Sequence, residues 1–238
     1  METWVVVVTL FAVAVSFMIS ASAGLGGSLI LVPTLALVLG TKEGVALSAL
    51  LLAANNVVKV IAYRKTLPFR KALVVIVLIA LGAALGARLL VAAPENVVTV
   101  AVIISFILAL IAERLDVTGL RRAGGPVLAF ASGATSGFSG TSGPLKGMAI
   151  RQLGLDRAHF VGAASLASLA GDLAKTAVFT EAELLGSESF LITMAAVPLM
   201  IAATYTGRRI NHSIGESGYT ILFWTVMAGY TLRLLLSL

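Results

Sequence analysis

Residues 44–63 read GVALSALLLAANNVVKVIAY, and residues 158–179 read AHFVGAASLASLAGDLAKTAVF. At about 1.5 Å rise per residue, either run is long enough to cross a bilayer core of about 30 Å as an α-helix. Yet each carries a polar group three residues before a lysine, Asn56 before Lys59 and Asp172 before Lys175. Polar groups at membrane depth are expensive, so their recurrence with the same spacing has to be explained by the fold.

Composition sets the class. Of 238 residues, 59% are hydrophobic and 12% charged, and the mean hydropathy is +1.03, whereas soluble domains have roughly 45–50% apolar and about 25% charged residues. The chain is therefore a polytopic membrane protein. Aliphatic segments about 17–22 residues long suit helices rather than the alternating strands, about 10 residues each, of an outer-membrane barrel. Apolar runs fall at 4–20, 28–40, 44–63, 72–92, 97–113, 126–136, 144–153, 158–179, 189–207 and 219–237. The run Trp4–Ile19 imitates a signal peptide but lacks a basic n-region, Glu2 being the only charge before it, and is taken as the first helix. With no cysteine, disulfides, thiol chemistry and cysteine–metal sites are excluded. No residues have metal-ligand spacing, and no cofactor is expected.

The runs 28–40, 126–136 and 144–153 are too short to span comfortably. They flank glycine-rich stretches, SASAGLGGS (Ser20–Ser28) and SGATSGFSGTSGP (Ser132–Pro144), expected to be breaks in re-entrant helix hairpins whose exposed backbone lines a wet cavity or is buried in protein. Charge orients the chain. With the loop Arg64–Lys71 cytoplasmic, eleven of the seventeen Lys and Arg residues lie inside, and only Lys42, Arg88 and Arg233 fall near the outside. Both termini then lie outside. The net charge of +6 is accounted for by topology, without nucleic-acid binding.

The two halves align. GLGG, Leu-Gly and AANNVVK from Gly24 match GFSG, Leu-Gly and LAGDLAK from Gly137 at an offset of about 113–117 residues. A single membrane domain, 1–238, thus contains a first repeat, 1–115, and a second, 124–238, each a broken hairpin plus three spans. An odd number of crossings per repeat places the repeats in opposite orientations. Inverted repeats with discontinuous helices are the architecture of secondary transporters.

The stretches AGLGGSLILVPTLALVLG (Ala23–Gly40) and SGFSGTSGPLKGMAIRQLG (Ser136–Gly154), with the duplicated layout, resemble the TauE/SafE sulfite exporter family, also called the 4-toluenesulfonate uptake permeases. The resemblance covers nearly the whole chain, although its first glycine run is shorter than the family pattern. It implies transport of small anions such as sulfite or organosulfonates, in the inner cell membrane of a prokaryote. The partners expected are the anion, the lipid bilayer and a coupling proton or cation; a homo-oligomer is left open.

An anion site needs donors and positive potential, which half-helix N-termini supply. Gly26, Gly27 and Ser28 are expected to open one half-helix, and Ser139, Thr141, Ser142 and Gly143 the other, with Lys146 just after Pro144 as the foremost ligand. The alternative for Lys146 is a water-facing position on a shallower loop. Lys59 and Lys175 lie four residues from the ends of their runs, so they either face the site or snorkel to the interface. Asp172 is a coupling group or the structural partner of Lys175 at i,i+3. Asn55 and Asn56 bond an oxyanion or another helix. The resulting function is a secondary transporter of small anions working by alternating access, with its site between the two glycine-rich breaks. A passive anion channel of the same fold is the alternative. GFSG (Gly137–Gly140) also fits an intramembrane serine protease, but the only histidines, His159 and His212, sit beside arginines at expected helix ends, so an enzyme is not expected.

Overall fold

The structure, a computed structural model, describes residues 3–23, 27–114, 124–141 and 143–210. Among the described residues the order is α1 (Thr3–Ala23), α2 (Gly27–Leu39), α3 (Thr41–Ala62), a 3-10 turn (Arg64–Thr66), α4 (Phe69–Ala92), α5 (Glu95–Arg114), α6 (Gly125–Ser139), α7 (Gly143–Arg151), α8 (Arg157–Glu181) and α9 (Ser187–Ile210). No strand occurs among them. The tenth expected run, 219–237, lies outside the described residues, as do Gly26, Ser142 and His212.

The chain divides into two compact units, Met1–Asn55 with Leu184–Leu238, and Asn56–Glu183, each drawing helices from both halves of the sequence. In the first unit α1 packs on α2 and α9. Its core joins Val13 and Phe17 to Leu31, Leu35, Leu47, Leu51 and Met200. In the second, α4 packs on α6 and α8, and the core joins Val75 and Ile79 to Leu128, Ala129, Ile150, Ala163 and Ala167.

Helix α4 explains why this chain suits lipid. Phe69, Leu73, Leu81, Leu85 and Leu89, with Val77, form an exposed stripe at four-residue spacing, while Ala72, Ala83 and Ala87 are buried on the other side. Large apolar residues outside and small ones inside reverse the water-soluble pattern, because lipid gives no reason to hide leucine whereas close helix approach requires small side chains. Thr41–Ala62, Phe69–Ala92 and Ser187–Thr206 are long and apolar enough to cross a membrane.

The glycine-rich breaks are narrower than the sequence suggests. Helix α6 continues through Ser132–Ser139, and α1 reaches Ala23. Two features show how α6 accommodates its hydroxyls and glycines. Thr135 Oγ1 donates to Ala131 O at 3.0 Å, and Ser139 Oγ to Thr135 O at 2.8 Å, so the hydroxyls turn back onto their own helix. The glycines are contact points: a Cβ on Gly133 would strike Ile79 O and one on Gly137 would strike Ala83 O, while Gly82 and Gly86 of α4 meet Phe130 O and Ala134 O in return. Glycines four apart on both helices therefore let the backbones touch. Helix α6 ends at Gly140, whose φ of 80° is left-handed. The Leu-Gly pairs that follow α2 and α7 also turn through positive φ, 99° at Gly40 and 62° at Gly154.

Candidate functional site

The polar residues of the second unit gather around one face of α8. Ser168, Asp172 and Lys175 fall at i, i+4 and i+7, so they share that face. Gly171 lets the helix close on α4, since a Cβ there would lie 3.0 Å from Ile79 Cγ2. Asp172 and Lys175 are 6% and 1% exposed, so Lys175 does not snorkel. Lys175 Nζ lies 2.8 Å from Asp172 Oδ1 and donates to Ser136 Oγ at 3.2 Å. The other carboxylate oxygen, Oδ2, accepts from Asn56 Nδ2 at 2.6 Å. Both oxygens of Asp172 are thus engaged, as the high cost of a lone buried charge requires.

The other two lysines join this cluster. Lys146, in the first turn of α7 and half-buried, donates to Ser168 Oγ at 2.7 Å. It lies within electrostatic reach of Asp172 and Lys175, and Lys59 within reach of Lys146 and Asp172. Lys59 is half-buried on α3, one turn beyond Asn56. Four helices, α3, α6, α7 and α8, therefore bring three ammonium groups, one carboxylate, one amide and two hydroxyls together. Two further buried hydroxyls of this unit, Ser132 Oγ and Thr176 Oγ1, have no hydrogen-bond partner among the described residues.

The remaining expected site residues are placed differently. Gly27 and Ser28 start α2, in the first unit. Asn55, also in that unit, faces away from Asn56 by the helical turn of about 100° between neighbours; its Oδ1 accepts from Thr204 Oγ1 at 3.3 Å, and its Nδ2 has no partner among the described residues. Ser139 closes α6 rather than opening α7, because its hydroxyl is committed to Thr135 O. Thr141 is buried in the connection, and Gly143 begins α7. Among the described residues, the protease candidates Ser139 and His159 have their hydrogen bonds elsewhere, Ser139 on Thr135 O and His159 Nδ1 on Asp156 Oδ2 at 2.6 Å. No group of three or more metal-ligating side chains occurs among the described residues.

Ser136 and Ser168 were not singled out from sequence. The available signal for Ser168 was its position one turn before Asp172, and for Ser136 its place in the Ser132–Pro144 run.

An assembly of ammonium groups, hydroxyls and an amide can hold an oxyanion. No curated protein and no solved structure matches the chain. The family description "Sulfite exporter TauE/SafE" matches residues 8–234, nearly the full length. The chain belongs to the TauE/SafE sulfite exporter family and is a multi-pass membrane transporter of that type.

Proposed function

We propose that the protein moves a small oxyanion, sulfite or an organosulfonate, by alternating access, and that the cluster of Asn56, Lys59, Ser136, Lys146, Ser168 and Lys175 around Asp172 is where the anion binds. One observation carries this reading. The Lys146 ammonium, beside the N-terminus of α7, is bonded to a neutral hydroxyl, so two of its three donors and its charge remain for a ligand. The positive end of the α7 dipole, at Gly143, adds to the potential on the same unit.

The inverted-repeat reading is supported by the same cluster. Asn56 and Asp172, which occupy matching places in the two copies of the polar-x-x-Lys motif, are 116 residues apart and hydrogen-bonded to each other. Equivalent residues meet in this way next to a two-fold axis. The proposed architecture is thus two inverted repeats with the anion near the axis relating them, the first-half Lys59 and second-half Lys175 being repeat mates. Asp172 serves either as the coupling group or as the fixed partner of Lys175.

The test is uptake of labelled sulfite into proteoliposomes preloaded with unlabelled sulfite. Stimulation by the internal anion is expected, because a carrier returns faster when loaded. Uptake without such stimulation marks a channel, and no uptake of any small oxyanion removes the reading. Lys146→Ala should weaken binding by about 1–3 kcal/mol, the scale of a charge-assisted hydrogen bond; unchanged affinity in a folded variant would take Lys146 out of the site.

A further inference from the structure

We infer that Ser132 and Thr176 are anion-binding residues, their hydroxyls donating to the oxygens of the transported oxyanion. The inference rests on the cluster around Asp172 being the anion site.

The ground is a sorting of hydroxyls. Helices α6 and α8 carry eight of them. Four, on Thr135, Ser139, Ser165 and Thr180, donate to the carbonyl four residues back. Two accept from lysines, Ser136 from Lys175 and Ser168 from Lys146. The last two, on Ser132 and Thr176, have no partner among the described residues, although the residues are only 0% and 8% exposed. A buried hydroxyl without a partner is destabilising, and the carbonyl four residues back is open to any serine or threonine in a helix. Two hydroxyls that leave it unused, on the two helices that build the cluster, are held ready for something else.

Both lie beside the cluster. Helix α4 is the common reference: a Cβ on Gly133 would meet Ile79, one on Gly137 would meet Ala83, and one on Gly171 would meet both. Ser132, next to Gly133, and Asp172, next to Gly171, therefore stand at about the same level along α4. Ser132 is one turn before Ser136, on the face of α6 that the bond from Lys175 turns toward α8. Thr176 is one turn beyond Asp172 and continues the row of Ser168 and Asp172 on α8.

The neighbouring groups have no use for these two protons. Ammonium groups only donate, and Asp172 already accepts at both oxygens, from Lys175 and from Asn56. An oxyanion brings the missing acceptors, since sulfite and a sulfonate headgroup alike present several oxygens. The division of labour is physical: lysine supplies charge on a flexible stem, whereas a hydroxyl on a packed helix supplies direction. The orphan also recurs. In the first unit Ser16 of α1 is 0% exposed and has no partner among the described residues. It stands 116 residues before Ser132, the spacing that separates Asn56 from Asp172. An accident of packing has no reason to repeat at matching places of the proposed repeats.

The test sets binding of labelled sulfite by the purified full-length protein beside its thermal melting without anion. Ser132→Ala and Thr176→Val each remove an unpartnered hydroxyl, so the anion-free protein should melt no lower than the native one, while the dissociation constant for sulfite should rise at least about fivefold. Thr176→Ser keeps the hydroxyl and should bind like the native protein. So should Ser165→Ala, whose hydroxyl is spent on Val161 O. Lower melting, or failure to fold, in Ser132→Ala would show that its hydroxyl serves the packing or an internal water, and overturns the inference. An equal loss of affinity in Ser165→Ala overturns it as well. If Lys146→Ala weakens sulfite while Ser132→Ala and Thr176→Val bind it like the native protein, the anion site stands without these two residues and the inference falls alone. If the native protein binds no sulfite, the reading of the site itself fails.

Discussion

Asp172 shows how much a single residue holds. Its carboxylate ties α3 to α8 through Asn56 and compensates Lys175, which is 1% exposed. Asp172→Asn keeps an amide oxygen for Asn56 but leaves a buried ammonium without its counter-ion. Removing one partner of a buried pair costs about 3–5 kcal/mol, whereas replacing both by apolar groups is often neutral. The single variant should therefore melt well below the native protein, and Asp172→Asn with Lys175→Met should recover most of the loss. A single variant that melts like the native protein would show that the pair does not hold the bundle. The charged members of this cluster were legible in the sequence because a lysine or aspartate in an apolar run is conspicuous. Ser136 and Ser168 were not: serine and threonine in helices commonly bond the carbonyl four residues back, as Ser48, Thr99 and Ser165 do, so a buried hydroxyl carries no signal until its partner is known.

At the scale of elements, the interlock of α4 and α6 decides how closely the second unit packs. A Cβ on Gly137 would meet Ala83 O and Ala87 N, backbone atoms that cannot move aside alone, while one on Gly147 meets nothing within 4 Å. Gly137→Ala should thus separate the helices and cost about 1–3 kcal/mol, as overpacking does. Gly147→Ala should be neutral or gain up to about 1 kcal/mol from helix propensity. Thermal unfolding of the two variants side by side checks this, and equal melting would mean that the glycines are not the contact. The same feature explains where the element boundaries differ from those read in the sequence. Helix lengths and order follow from apolar runs and were legible, but glycine and serine between them read as chain breaks. In lipid those residues also mark helix contacts, and the clue lies in spacing: Gly133 and Gly137 repeat at four, as do Gly82 and Gly86, which a break has no reason to do.

For the whole molecule, the alternation of spans and the asymmetry of basic residues make one joint statement. If each repeat crosses the membrane an odd number of times, α3 and α8 run in opposite directions, and Asn56 and Asp172 approach the same depth from opposite sides. The hydrogen bond between them is compatible with that arrangement and leaves the direction of the chain open. The proposed direction rests on the loop Arg64–Lys71, whose Arg64, Lys65, Arg70 and Lys71 the positive-inside rule would keep in the cytoplasm. Because the chain has no cysteine, single cysteines can report each loop without a background. Glu95→Cys and Ser187→Cys should react with a membrane-impermeant maleimide in intact cells, and Thr66→Cys only after the membrane is opened. Labelling of Thr66→Cys from outside, with Glu95→Cys and Ser187→Cys protected, would reverse the chain and place both termini in the cytoplasm. Labelling of Glu95→Cys without Ser187→Cys would break the even count of crossings between them, α5 inward and α8 outward, and with it the opposed orientation on which the two-fold relation of Asn56 and Asp172 depends.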